Sequence, residues 1–170
     1  MTKILITGAS GMVGKHLVDM CLDKGYYVRG IDIRLDDRYL EKKYWGDNFD
    51  FFQADLRDFD RCKVLVDDID VVFHVAGVKG SPKRAAEQPN DYFTPMLQMN
   101  TNIAEASRLE GVDWYVYTST VGVYQPAEVF KEDGSEEHTS ELQSRLQLVC
   151  RLLLAKKNTH THTTTPERKH

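Results

Sequence analysis

Short apolar runs alternate with stretches of helical period along the first 120 residues. "KILIT", Lys3 to Thr7, reads as a strand that runs into the glycine-bearing turn "GASGMVG", Gly8 to Gly14. Val13, Leu17, Met20 and Cys21 then recur at helical spacing, and Gly25 is a natural stop. "YYVRGID" (Tyr26 to Asp32), "FDFFQAD" (Phe49 to Asp55), "DVVFHVAG" (Asp70 to Gly77) and "DWYVYTST" (Asp113 to Thr120) read as four further strands. Between them, "DDRYLEKKYWG" suggests a short helix or loop, and "DFDRCKVLVDD", Asp58 to Asp68, an amphipathic helix. A long helical pattern passes through Met96, Met99, Asn100, Ile103 and Ala106 to a stop at Gly111. Strands alternating with helices predict an α/β fold with a parallel sheet covered on both faces. Right-handed crossovers make it doubly wound, in the order 3-2-1-4-5, with a ligand crevice at the carboxyl ends of the strands.

The turn "TGASGMVG" carries the first candidate chemistry. Gly8 lets the chain leave the strand sharply, Gly11 has no side chain to keep a pyrophosphate away, and Gly14 lets the helix pack close to the sheet. The helix N-terminus, at Met12 and Val13, offers free N–H groups and a positive dipole end to phosphates. A strand before the turn, a helix after it and Asp32 about 20 residues on complete the context of a Rossmann dinucleotide site. Asp32 is placed to accept hydrogen bonds from the adenosine ribose, which favours NAD. Arg34, two residues later, could meet a 2′-phosphate and keeps NADP open as the alternative. Asp55, followed by Leu56, ends the third strand, where it could accept from an adenine amino group or cap the next helix. Val75, Ala76 and Gly77 end the fourth strand where the cofactor is expected. His74 is expected as a packed strand histidine rather than a catalyst.

Taken together, "TGASGMVG", "GID", "ADLRD", "VVFHVAG", "MNTN" and "YTSTVGVY" resemble the N-terminal half of an extended short-chain dehydrogenase/reductase of the NAD-dependent epimerase/dehydratase family. The resemblance covers residues 1 to about 133, and a weaker likeness to GDP-fucose synthases lies in "PNDYFTPMLQMNTNIAEAS". It implies hydride exchange between a nucleotide-sugar carbon and the nicotinamide, with a tyrosine of a Y-x-x-x-K motif taking the hydroxyl proton and its lysine lowering that tyrosine's pKa. It also implies that Thr120, beside Ser119 and four residues before Tyr124, binds the reacting oxygen, and that Asn100 supports the site from its helix. It admits a homodimeric parent. Two departures stand out. Gln125 occupies a position usually held by glycine, and no tyrosine follows Tyr124. The general base is therefore missing from these residues, and with it a proton-transfer contribution of about 10²–10⁴-fold. The expected fold is a Rossmann sheet truncated after about five strands. The alternative function is a regulator that senses NAD(P) without turnover; a Y-x-x-x-K beyond Thr120 in the intact gene would favour the enzyme.

Composition changes the picture at one place. All aromatic residues (8 Tyr, 7 Phe, 2 Trp) lie before residue 134, and the segment from Gly134 to His170 has no Asp and no Ile. Ser135 to Ser144 and Leu148 to Leu154 can each be back-translated into DNA that resembles a common short-read sequencing adapter. Residues 1–133 are therefore expected to form the cofactor domain, with 134–170 a tail foreign to the parent, partly helical or disordered. Leu142, Leu146, Val149 and Leu153 recur at helical spacing and support the rival expectation of a natural amphipathic helix. The alternating histidines of "THTHTTTPERKH" suit a polar tail better than a metal site. Elsewhere the numbers exclude rather than suggest. A net charge of −4 argues against a general nucleic-acid or anionic-membrane binder. Three cysteines at unrelated spacings build neither a disulfide framework nor a zinc site and fit a reducing cytoplasm. No apolar run approaches the ~20 residues that cross a bilayer.

Overall fold

A computed structural model describes residues 1–44 and 46–118. Thr120 and the expected seam at Gly134 lie outside the described residues. Strands β1 (Lys3–Thr7), β2 (Tyr27–Asp32), β3 (Phe49–Gln53), β4 (Val71–His74) and β5 (Trp114–Tyr117) form one sheet. Every pairing is parallel and the order is β3-β2-β1-β4-β5, as the alternation of strands and helices predicts. Helices α1 (Met12–Asp23), α2 (Phe59–Val66), α3 (Pro82–Glu87) and α4 (Asn90–Glu110) connect the strands, and two 3₁₀ turns, Asp37–Leu40 and Lys42–Tyr44, lie between β2 and β3. The short α3 has no counterpart in the sequence expectation.

The two faces of the sheet follow from strand alternation. On β1, Ile4 and Ile6 point to one side and pack with Val18 and Cys21 of α1 and with Val28, Tyr39, Tyr44 and Phe49. Leu5 points to the other and packs with Cys62, Leu65 and Val66 of α2, Ile103 and Ala106 of α4, and Val72. Each such side chain buried in full stabilises the fold by about 1.5–3 kcal/mol. The burial of α1 corrects the expected stripe. Gly14, Val18 and Cys21 face the sheet, while Val13 and Met20 are exposed. The close approach of Gly14 to the turn sets this rotation. A Cβ on Gly14 would stand 2.1 Å from the Gly8 carbonyl oxygen, so only glycine can lead that face inward.

Helix ends are tied to the sheet by polar side chains. Asp58 caps α2 by accepting from the Arg61 N–H. At the other end of α2, Arg29 of β2 donates to the carbonyls of Leu65 and Asp67, both at 2.9 Å. Gly111 ends α4 in the left-handed conformation, φ 73°. Both buried cysteines of the described residues, Cys21 and Cys62, are free, and burial pushes the Cys62 thiol up to about 12.

Candidate functional site

A cleft of about 820 Å³ lies along the carboxyl ends of the strands. Gly8, Gly11, Asp32, Asp55, Leu56, Val75, Ala76 and Gly77 line it, all of them residues singled out from the sequence. The glycine turn shows why these positions lack side chains. Gly8 has φ 68°, and a Cβ there would lie 2.8 Å from the Ala76 Cα, so the turn after β1 and the segment after β4 meet backbone to backbone. Gly11 precedes the first turn of α1 and no side chain caps that turn. The opening N–H groups, at Met12 and Val13, are therefore left to whatever enters the cleft. The side chains of Met12 and Val13 point away from it into solvent. A cradle that a single Cβ would fill, at the mouth of an uncapped helix, fits a dinucleotide phosphate.

Asp32 has two tasks. Its carboxylate faces the cleft, and it accepts from the Ser10 N–H at 3.0 Å and from the Arg34 N–H at 3.3 Å. Ser10 returns the contact through its hydroxyl, which donates to the Arg34 carbonyl at 2.8 Å. Asp32 is thus a staple of the glycine turn as well as a group open to ligand. Ser10 sits within the quoted turn, but its polar role was hidden because the partner, Arg34, is 24 residues away.

Asp55 lines the cleft and is held by Arg57, whose guanidinium binds both carboxylate oxygens. That pairing keeps the Asp55 carboxyl below its ordinary range, despite the opposing effect of partial burial. Of the two roles open to Asp55, the cap of α2 belongs instead to Asp58. Asn102 of α4 fixes this wall: its amide nitrogen donates to the carbonyls of Leu56 at 3.1 Å and Arg57 at 2.8 Å. Only Asn100 of "MNTN" was singled out from the sequence. Asn102 one turn-half further on is a second polar anchor, and Arg34, Arg57 and Lys79 add positive charge to the lining.

Asn100 and Gly14 do not line the cleft. Asn100 stands behind its floor in a run of hydrogen bonds. The Ala76 N–H donates to the Thr7 hydroxyl at 3.2 Å, which pairs with His74 Nδ1 at 2.7 Å. His74 Nε2 meets the Asn100 side-chain oxygen at 2.8 Å, and the Asn100 amide donates to the Tyr117 hydroxyl at 3.0 Å. Since the Asn100 oxygen can only accept, Nε2 carries the imidazole proton, and the neutral ring's Nδ1 accepts the Thr7 hydroxyl proton. His74 is fully buried, and desolvation lowers its pKa against the opposing hydrogen bond to Asn100. It is the packed strand histidine expected. No cluster of metal-ligating side chains exists among the described residues.

A doubly wound sheet, a glycine cradle at an uncapped helix and an acidic residue at the end of β2 define a dinucleotide-binding protein. The chain belongs to the NAD dependent epimerase/dehydratase family, which matches residues 4–145 and so extends past the expected seam at 134. It is 36% identical over 123 residues to the UDP-glucose 4-epimerase of Mycolicibacterium smegmatis, covering 71% of this chain and 39% of that one. It is 32% identical over 124 residues to a 3 beta-hydroxysteroid dehydrogenase/Delta 5→4-isomerase of Mycobacterium tuberculosis, covering 71% of this chain and 32% of that one. Among solved structures, a UDP-glucose-4-epimerase from Stenotrophomonas maltophila with bound NAD and formylated UDP-arabinopyranose is similar. It matches with a TM-score of 0.69 and 29% identity over 91% of this chain and 48% of that chain. The chain therefore spans about a third to two fifths of the length of these curated relatives. No helix among the described residues is long and apolar enough to cross a membrane.

Proposed function

We propose that these residues are the NAD-binding part of a nucleotide-sugar epimerase or dehydratase, with Asp32 on the adenosine ribose and the turn from Gly8 to Gly14 on the pyrophosphate. The observation that carries this reading is the cradle of Gly8, Gly11 and Ser10 opening onto the same cleft as Asp32. Asp55 and Leu56 form the adenine end, and Val75, Ala76 and Gly77 the floor toward the nicotinamide. When bound, the nicotinamide supplies hydride exchange with a sugar carbon. The chain's own work is to hold the phosphates at the α1 N-terminus, to fix the ribose, and to brace the floor through Thr7, His74 and Asn100. The sugar-nucleotide class is supported by the epimerase relatives. Thr120 is the residue proposed to hold the reacting oxygen.

These 170 residues contain no tyrosine after Tyr124 to take the hydroxyl proton. The proposal is accordingly a chain that binds cofactor without turning over substrate by itself, with residues 134–170 foreign to the parent and a cytoplasmic, NAD-using parent enzyme. Isothermal titration of the chain with NAD and NADP tests the cofactor part: NAD should bind more tightly, and no binding of either would reject the reading. The uncontaminated genomic reading frame beyond Asp133 tests the rest. A Y-x-x-x-K motif there is the expected result.

A further inference from the structure

The connection from β2 to β3 does more than span the sheet edge. Its first 3₁₀ turn carries Tyr39, a residue only 6% exposed whose hydroxyl donates to the Ala9 carbonyl at 2.6 Å. Ala9 is the residue between Gly8 and Ser10, so this bond grips the glycine turn itself. Three more polar groups of Ala9 and Ser10 are held from the end of β2 and the residues just after it. The Ala9 N–H donates to the Ile31 carbonyl at 3.0 Å, the Ser10 N–H to Asp32 at 3.0 Å and the Ser10 hydroxyl to the Arg34 carbonyl at 2.8 Å. The 3₁₀ segment is in turn strapped to the outer side of α1. Arg38 pairs with Asp19, the Tyr44 hydroxyl donates to Asp19 at 2.7 Å, and Lys15 pairs with Asp36.

The ring and the hydroxyl of Tyr39 have separable work. The ring lies against Phe51, Phe49 and Tyr44 with centroids 5.0–5.1 Å away, and a phenylalanine would fill that space equally. The hydroxyl adds nothing to this packing, and burying it unpaired would be unfavourable. Its bond to Ala9 fixes the plane of the Ala9–Ser10 peptide, next to the N–H groups that face the cleft. We propose that Tyr39 is a positioning residue for the dinucleotide: through its hydroxyl it holds the glycine turn in the phosphate-receiving shape before the ligand arrives. Such preorganisation lowers the cost of binding without any contact to the ligand.

The inference rests on the NAD-binding reading, and the experiment separates the two. NAD and adenosine are titrated into the full chain and into Tyr39→Phe, by calorimetry and by NMR respectively. Loss of one hydrogen bond should weaken NAD about three- to tenfold, while adenosine, which does not reach the glycine turn, should bind both proteins alike. In the ligand-free Tyr39→Phe protein the Ser10 amide should exchange faster, with the amides of β1 and β4 unchanged. Equal NAD affinity, or an equal loss for NAD and adenosine, overturns the inference; failure of the unaltered chain to bind NAD overturns it together with the reading beneath it. Should Tyr39→Phe not fold, Asp19→Ala decides. It removes the partner shared by Arg38 and the Tyr44 hydroxyl, releases the segment that carries Tyr39, and should weaken NAD but not adenosine; no selective loss there overturns the proposal.

Discussion

Asp32 braces the glycine turn while facing the cleft, and in the proposed reading it also selects the ligand. Its carboxylate accepts two backbone N–H groups from Ser10 and Arg34 while facing the cleft. Hydrogen bonds to a charged group contribute about 1.5–3 kcal/mol each. Asp32→Ala should therefore lower NAD affinity by about ten- to a hundredfold and NADP affinity by less, narrowing the preference. Calorimetry with both cofactors checks this, and equal affinities in the unaltered chain would count against Asp32 as reader of the ribose. His74 yields a pH-dependent expectation. Burial depresses its folded pKa below the ordinary 6.5, so the unfolded chain takes up the proton first as pH falls. Above about pH 6.5 the group is neutral in both states and contributes no slope. Below that value, down to the depressed folded pKa, stability should drop as pH drops. His74→Gln should be less stable at pH 7.5 yet lose stability less steeply between pH 6.5 and 5.5, as read by urea unfolding. An equal slope in both proteins would show that His74 is not the titrating group.

At the scale of elements, the three glycines of the first turn separate by mechanism. Gly14 faces backbone on two sides, with the Gly8 carbonyl oxygen 2.1 Å and the Ala9 Cα 2.8 Å from an added Cβ. Overpacking of this kind costs about 1–3 kcal/mol, and backbone cannot move aside as a side chain can, so Gly14→Ala should fall at the upper end. At Gly11 an added Cβ has one close neighbour, the Gly8 carbonyl oxygen at 3.0 Å, and otherwise points into open space. Gly11→Ala should melt near the unaltered protein but bind NAD poorly, because the methyl occupies the path of the phosphate. Thermal melting and calorimetry together distinguish the two; a Gly11→Ala protein with normal affinity would remove the pyrophosphate from this turn. These local rules are also why the sheet and its strand order were legible in advance. Runs such as "KILIT" and "VVFH", punctuated by glycine turns, carry the strand signal within four or five residues. The buried stripe of α1 was misread because Val13 and Met20 are apolar yet exposed, and what turns them outward is the close contact of Gly14 with the backbone of Gly8 and Ala9, which apolar spacing does not record. The polar anchors Thr7, Tyr39 and Asn102 were not legible for another reason: their partners are 67, 30 and 45 or 46 residues away. Hydrogen bonds across such separations leave no mark on local periodicity.

On the scale of the whole molecule, the described sheet ends at β5, which pairs only with β4 among the described residues. Trp114, Val116 and Tyr117 of that strand are exposed, at 55%, 38% and 38%. Parallel sheets are stable when both faces are covered, and an apolar parallel edge invites pairing with other chains. The matched stretch makes up 39% and 32% of two curated relatives, so in them further chain is present that could cover such surface. The segment from Gly134 onward has leucines but no aromatic residue with which to replace that cover. Expressed alone, residues 1–170 should therefore be marginally stable and prone to aggregate, should bind NAD weakly, and should turn over no nucleotide sugar. On the proposed reading of residues 134–170 as foreign to the parent, residues 1–133 should behave alike. Light scattering, thermal melting and a turnover assay with UDP-glucose on both proteins test this together. A monomeric 170-residue protein that melts cooperatively and well above the 133-residue form would make the tail a true part of the structure and overturn its reading as foreign sequence. Turnover by the 170-residue chain would require a proton acceptor other than a tyrosine beyond Tyr124, and would overturn the assignment of this chain as a cofactor-binding part that cannot act alone.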